Sequence, residues 1–190
     1  SSGQLTLDGK TIIPGDPSIM IEEGIARIPE DRHRDGIVGR MSVAENLVIE
    51  NISSSTFQRY GILNRDEILE RSKEICVQYD VRGPGINTEA RLLSGGNIQK
   101  LILARVFESR PKLILANQPT RGLDIGAANA VAERLLASRQ KGVAIVLISE
   151  DLDEIINLSD RIMVMRDGNL SHAETFDRDA LGLLMAGEAA

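Results

Sequence analysis

The sequence predicts an α/β fold, a parallel sheet layered with helices and carrying an all-helical insertion. Three observations predict it. Short apolar runs at 113–116, 143–148 and 162–165 alternate with helical stripes through the second half, the pattern of strands joined by crossover helices. The run 143–148 (VAIVLI) is apolar without a break, as expected of a strand with helices over both sheet faces. Residues 42–92 lack strand-like alternation and read as helix.

Near the start of the chain, Leu5 and Leu7 flank Thr6, Asp8-Gly9 supplies a turn, and residues 11–13 resume an extended pattern, so the chain opens with a hairpin. Pro14, Gly15, Asp16 and Pro17 break the chain before a short helix at 18–24 and a strand at 25–28 ended by Pro29. Residues 30–40 (EDRHRDGIVGR) form a charged loop punctuated by glycine. Ser42 and Glu45 have capping-box spacing. Helical character then runs to about Tyr79, interrupted at 53–55, with Asn64 capping a helix that carries Ile68, Leu69, Ile75 and Cys76. After the break Arg82-Gly83-Pro84-Gly85, Ser94-Gly95-Gly96 opens a helix with Ile98, Leu101, Ile102, Arg105 and Val106 at helical spacing. Asp124 opens another, with Ile125, Ala128, Val131, Ala132, Leu135 and Leu136 on one stripe. Ser149 caps a helix through Leu158, Asp167-Gly168 makes a turn, and 177–186 is the last helix. Met163, Met165 and Cys76 are expected in the core.

Composition narrows the function classes. The 190 residues hold 22 Lys plus Arg against 28 Asp plus Glu, a formal charge of −6, which argues against a nucleic-acid partner. Arg27, Arg32, Arg34 and Arg40 form a local basic group, diluted by Glu30, Asp31 and Asp35 and better suited to a protein loop than to nucleic acid. The single cysteine excludes an internal disulfide and a multi-cysteine metal site. His33 is expected to be solvated among charges, and His172 has no partner in view. No run approaches the roughly 20 apolar residues of a membrane span, and the first residues show no basic-then-apolar leader. The expectation is a soluble, cytoplasmic protein that would reach a membrane only by docking to something there.

Gly9-Lys10-Thr11 imitates the end of the phosphate-binding pattern GxxxxGK[ST], but the earlier glycine would have to be residue 4, which is Gln4, and the segment is a hairpin turn. No other GK[ST] occurs, so these residues include no phosphate-cradling loop. The strongest signal is Leu92-Leu93-Ser94-Gly95-Gly96-Asn97-Ile98-Gln99-Lys100. Two glycines behind a serine cap leave backbone N–H groups uncovered at the positive end of a helix dipole, where a phosphate can approach and the hydroxyl can donate. Taken alone, the same residues are equally an N-cap with a flexible entry.

The order of the remaining segments is specific. After the helix come Pro111-Lys112, the strand 113–116, then Asn117-Gln118-Pro119-Thr120-Arg121-Gly122-Leu123-Asp124, another helix, the strand 143–148 and Ser149-Glu150. The set resembles the ATP-binding cassette (ABC) family of ATPases across essentially the whole chain. Residues 93–97 (LSGGN) are similar to the family signature, residues 113–118 stand at Walker B, Gly122-Leu123-Asp124 matches the D-loop, and Glu150 falls at the switch-histidine position. LLSGGNIQK, PTRGLDIGA and Ile28-Pro29-Glu30-Asp31-Arg32-His33-Arg34-Asp35-Gly36 look like the second cassette of tandem importers for simple sugars and nucleosides, with Glu30 at the Q-loop position. Ala116-Asn117-Gln118-Pro119 looks most like the purine-nucleoside branch.

The resemblance implies a P-loop NTPase-like (RecA-like) core truncated before residue 1, from which the P-loop region is expected to be missing. It divides the chain into a core fragment 1–41, a helical subdomain 42–92 and the remaining core 93–190. It implies ATP and Mg²⁺ as ligands, bound weakly or not at all by this chain alone. Its partners would be the N-terminal cassette of the same polypeptide or a dimer mate, and membrane permease subunits touching residues 30–40 and 42–92, at the cytoplasmic face of the membrane. Where the family places acids, Asn117 brings no charge to a cation and Gln118 cannot take a proton from water at neutral pH. Glu150 would face a phosphate with like charge. Glu30 reads either as a solvated loop acid or as a contact to metal, water and permease. Ser94, Gly95, Gly96 and Asn97 keep the signature used across a dimer interface, and Asp124 reads as D-loop, as helix cap, or as both. The expectation is a degenerate cassette that completes a partner's active site while its own is slow or dead. The rival expectations are a non-hydrolytic scaffold on the same fold and a non-transport cassette acting on nucleic acid.

Overall fold

The computed structural model describes residues 4–13 and 15–187. A parallel three-stranded sheet is its centre, built from β3 (Ile25–Ile28), β6 (Leu113–Asn117) and β7 (Ala144–Ile148) in the order β3-β6-β7. Ahead of it, β1 (Leu5–Leu7) and β2 (Lys10–Ile12) form the expected hairpin, with Asp8 and Gly9 in its turn at positive φ. The Gly9-Lys10-Thr11 imitation is therefore a turn and the start of a strand. Helix α1 (Pro17–Glu22) starts on an Asp16 cap, and α2 (Val43–Val48) starts on the Ser42–Glu45 capping box read from the sequence. Helix α3 (Arg65–Gln78) starts at Asn64, whose side chain accepts from the Glu67 amide. Helices α4 (Gly95–Glu108), α5 (Ile125–Gln140), α6 (Leu152–Leu158) and α7 (Arg178–Ala186) complete the layers, with the hairpin β8 (Met163–Arg166) and β9 (Asn169–His172) between the last two. This is the expected α/β architecture.

The main core joins α4 to the sheet and to α2 and α3. Ile28, Ile98, Leu101, Ile102, Val106, Ile114 and Ala116 have essentially no exposure, and Val43, Leu47, Val48, Ile68 and Ile75 pack into the same cluster. Each buried Ile, Leu or Val side chain among them contributes about 1.5–3 kcal/mol on leaving water. Helix α4 is thus held from both sides, which fixes the turn that begins it.

Five expectations are corrected. Residues 42–92 are not all helical: β4 (Gln58–Arg59) and β5 (Ile62–Leu63) form a small hairpin, because Tyr60 and Gly61 both take positive φ and close a two-residue turn. Strand β7 is not covered on both faces. Ile145 and Leu147 pack on the core, while Val146 and Ile148 remain 49% and 56% exposed at the edge of the described sheet. Met163 and Met165 point outward, because the hairpin buries only its Val164 side against α7; Ile125, read as part of a buried stripe, is exposed at the start of α5, whose buried residues are Val131 and Leu135. Helix α6 is capped by Asp151, which accepts from the amides of Asp153 and Glu154, and not by Ser149. Cys76 is half-buried, and that burial pushes its thiol pKa up.

Candidate functional site

Three strand ends build the site. The register aligns Ile28 with Ala116 and Ala116 with Leu147, so the segments bearing Glu30, Gln118 and Glu150 leave the sheet at one edge. That edge is the carboxyl end, where open α/β sheets hold ligands. Asn117 ends β6 opposite Ile148 and is half-buried. Gln118 takes a left-handed φ of 51° and donates its amide to the Ile148 carbonyl at 2.8 Å. Glu150 is exposed beyond β7, beside Ser149, whose hydroxyl accepts from the Asp151 amide. Mg²⁺ takes hard oxygen ligands and usually at least one carboxylate. The end of β6 offers neutral Asn117 and Gln118, and among the described residues no cluster of three or more His, Cys, Asp or Glu could hold a metal. The end of β6 therefore brings no carboxylate of its own to a Mg²⁺.

The Ser94 turn is built differently. Ser94 is the N-cap of α4 with extended backbone, yet its side chain caps no amide. The amides of Gly95, Gly96 and Asn97 have no acceptor among the described residues, and the first helical bond runs from Ile98 to the Ser94 carbonyl. Above Gly96 the space a side chain would occupy is open. Asn97 is spoken for: its Nδ2 donates to Ser94 Oγ at 2.9 Å and its Oδ1 accepts from the Arg82 amide at 2.7 Å. With that lone pair occupied, the Ser94 hydroxyl proton is left to point away from Asn97. Three bare amides, an oriented hydroxyl and the positive end of a 14-residue helix suit a phosphate oxygen.

Asp124 caps α5, its Oδ1 accepting from the Ala127 amide at 2.9 Å. Glu30 is not a free acid, because its carboxylate pairs with Arg121. Asp31 turns the next residues, accepting from the amides of His33 and Arg34 at 3.0 Å each, and the Arg34 amide above all holds its pKa below the ordinary carboxylate value. Beside Asp124, a cleft of about 370 Å³ between α3, α4 and α5 is lined by Tyr79, Lys100, Leu123 and Arg134 among others. Tyr79 donates its hydroxyl to Glu108 at 3.1 Å, and Arg134 lies 4.1 Å above its ring. Burial, reinforced by the Glu108 carboxylate, pushes the Tyr79 phenol up to about 12.

The structure brings Glu30, Arg121, Gly122 and the Ser94 turn into one neighbourhood, while no hydrogen bond or ion pair among the described residues joins Glu150 or Asn117 to that turn. Sequence reasoning missed three contacts that hold this neighbourhood. Buried Gln99 donates to the Pro119 carbonyl at 2.7 Å. Buried Arg105 donates to the Gly36 carbonyl at 2.8 Å and lies 2.9 Å from Glu50, whose charge opposes the pull of burial on the guanidinium pKa. Arg32 lies between Gly95 and Gly122. A charged residue at a core position of the α4 stripe was the available signal for Arg105; nothing local in the sequence marked Gln99.

The sheet and its layered helices give the chain the fold of an ATP-binding cassette, a P-loop NTPase architecture, and its sequence is similar to ATP-binding proteins of import systems. It is 42% identical over 98% of its length to the nucleoside import ATP-binding protein NupA of Lactococcus lactis subsp. cremoris and to the guanosine import ATP-binding protein NupO of Bacillus subtilis. It is equally 42% identical to the glucose import ATP-binding protein TsgD13 of Haloferax volcanii. The chain spans only 35–37% of the length of these relatives. Among solved structures, a nucleotide-free cassette of an ABC transporter matches with a TM-score of 0.67 at 25% identity, over 95% of this chain and 74% of that one. The fold also matches the dimeric post-hydrolysis state of the cassette MJ0796 bound to ADP and Pi, with a TM-score of 0.72 at 20% identity, over 92% of this chain and 75% of that one. No family model matches the chain. No helix among the described residues is long and apolar enough to cross a membrane.

Proposed function

We propose that this chain is part of the ATP-binding subunit of an importer for nucleosides or simple sugars, and that it offers its Ser94 turn to ATP held by a second cassette. The second cassette would be the N-terminal one of the same polypeptide or a dimer mate, and it would do the hydrolysis that drives uptake. The observation that carries the reading is a contrast within one molecule. The amides of residues 95–97 are bare and the Ser94 hydroxyl is oriented, whereas the positions that would charge a cis site hold Asn117 and Gln118. ATP and Mg²⁺ are then ligands of the assembled pair. Relatives named for nucleoside, guanosine and glucose import support the solute class.

In this reading residues 1–41 and 93–190 form the core, and 42–92 with loop 30–40 face a membrane permease, which places the protein on the cytoplasmic side of its membrane. Asp124 at the start of α5 would serve as D-loop while capping the helix, and Glu30 would work through Arg121. The test is ATP affinity and turnover of this chain alone and together with the partner cassette. Turnover that needs both supports the proposal. Hydrolysis by this chain alone contradicts it, and binding without turnover by the pair favours the scaffold reading that neutral Asn117 and Gln118 also support. A salt-dependent shift of DNA or RNA would instead favour a nucleic-acid role.

A further inference from the structure

We propose that Arg32 is a positioning residue that locks loop 30–36 onto the Ser94 turn and onto the 119–124 loop at once; this rests on the reading that the Ser94 turn grips a partner's nucleotide. The guanidinium Nη1 donates to the Arg121 carbonyl at 3.2 Å. The same planar group lies over two glycines: a Cβ on Gly95 would stand 3.0 Å from Nη2 and 3.3 Å from Cζ, and one on Gly122 would stand 3.2 Å from Nη2. Gly122 has a φ of +68°, so its backbone already excludes most side chains. Gly95 carries no such backbone demand, and what its missing side chain makes room for is the guanidinium. A flat, delocalised cation fits between two bare backbone turns as a point-charge ammonium cannot.

The stem of Arg32 is fixed as firmly as its tip. A Cβ on Gly36 would collide with the backbone of Arg32 and with Ile102 of α4, and the Gly36 carbonyl is held by buried Arg105, also of α4. Asp31 locks the turn from the other side through the His33 and Arg34 amides, and Glu30 holds Arg121, whose carbonyl Arg32 engages. Loop 30–36 is therefore clamped to α4 at Ile102 and Arg105 and reaches the helix start through Arg32. A displacement of that loop is transmitted to Gly95 and to the 121–124 segment together.

The test uses the full-length ATP-binding protein with its partner cassette, in wild-type, Arg32→Ala and Arg32→Lys forms. Two readouts are taken, steady-state ATPase and amide hydrogen exchange without nucleotide. In both variants kcat should fall roughly tenfold or more while KM for ATP stays within about twofold, since ATP sits on the other cassette. Exchange of the Arg121 and Leu123 amides should accelerate while residues 101–106 of α4 keep their protection. ATPase within about twofold of wild type in Arg32→Ala overturns the proposal, as does restoration by lysine or loosening that spreads through 101–106. Ser94→Arg, measured alongside, separates the two claims. If Ser94→Arg stays active the nucleotide-facing reading fails, and if Ser94→Arg is dead while Arg32→Ala is active only the Arg32 assignment fails.

Discussion

Asn46 has essentially no exposure, yet it is one of the best-satisfied side chains in the molecule. Its Oδ1 accepts from the Val38 amide at 2.8 Å, and its Nδ2 donates to the carbonyls of Val38, Met41 and Ser42. It pins the loop before α2 to that helix, and no spacing or motif announced it, because the partners are backbone groups visible only once the loop is folded. Tyr79 is a second such residue and gives a pH test. Its pKa is raised from an ordinary 10 to about 12 in the folded state, so the folded protein holds that proton more tightly than the unfolded chain. The stability it contributes is complete below pH 10 and is lost as pH rises toward 12. Chemical denaturation at a series of alkaline pH values should show wild type weakening across that window and Tyr79→Phe weakening less. Equal slopes for the two proteins would show that Tyr79 plays no part in the alkaline loss.

Helix α5 shows how one residue can carry a structural and a functional reading. Asp124 accepts from the Ala127 amide, so Asp124→Ala should cost about 1 kcal/mol of stability, whereas Asp124→Asn, an equally good cap, should cost little. If the charge of Asp124 is also used across an interface, Asp124→Asn should lower the ATPase of the complete protein without moving its denaturation midpoint. Full activity in Asp124→Asn would leave capping as its only role. Helix starts of this kind were legible in advance: Ser42, Asn64, Ser94, Asp124 and the α4 stripe 98–106 all stand where local pattern put them. What local pattern could not give was exposure set by neighbours. Apolar β7 and the methionines of β8 read as core, but each presents one face that no described element covers. The hairpin at 58–63 was hidden for another reason, since its turn rests on Tyr60 at a positive φ that tyrosine seldom adopts.

Across the molecule the chemistry is one-sided. At the carboxyl edge of the sheet the end of β6 presents neutral Asn117 and Gln118 beside a paired Glu30 and an exposed Glu150, with no cluster of three or more His, Cys, Asp or Glu among the described residues, while the start of α4 presents bare amides. The residues of both halves could be named from sequence because their motifs follow the order seen in the ATP-binding cassette family they resemble. Their linkage through Arg32, Gln99 and Arg105 could not, because it depends on glycines and carbonyls brought together by the packing of α4. The most direct test is the ATPase of the complete tandem protein carrying Ser94→Arg or Gln118→Ala. Ser94→Arg fills the phosphate approach and should abolish turnover, while Gln118→Ala removes a residue with no proton to take and should leave turnover near wild type. Turnover that survives Ser94→Arg, or that collapses on Gln118→Ala, would contradict the assignment of this chain as the half that completes a partner's site.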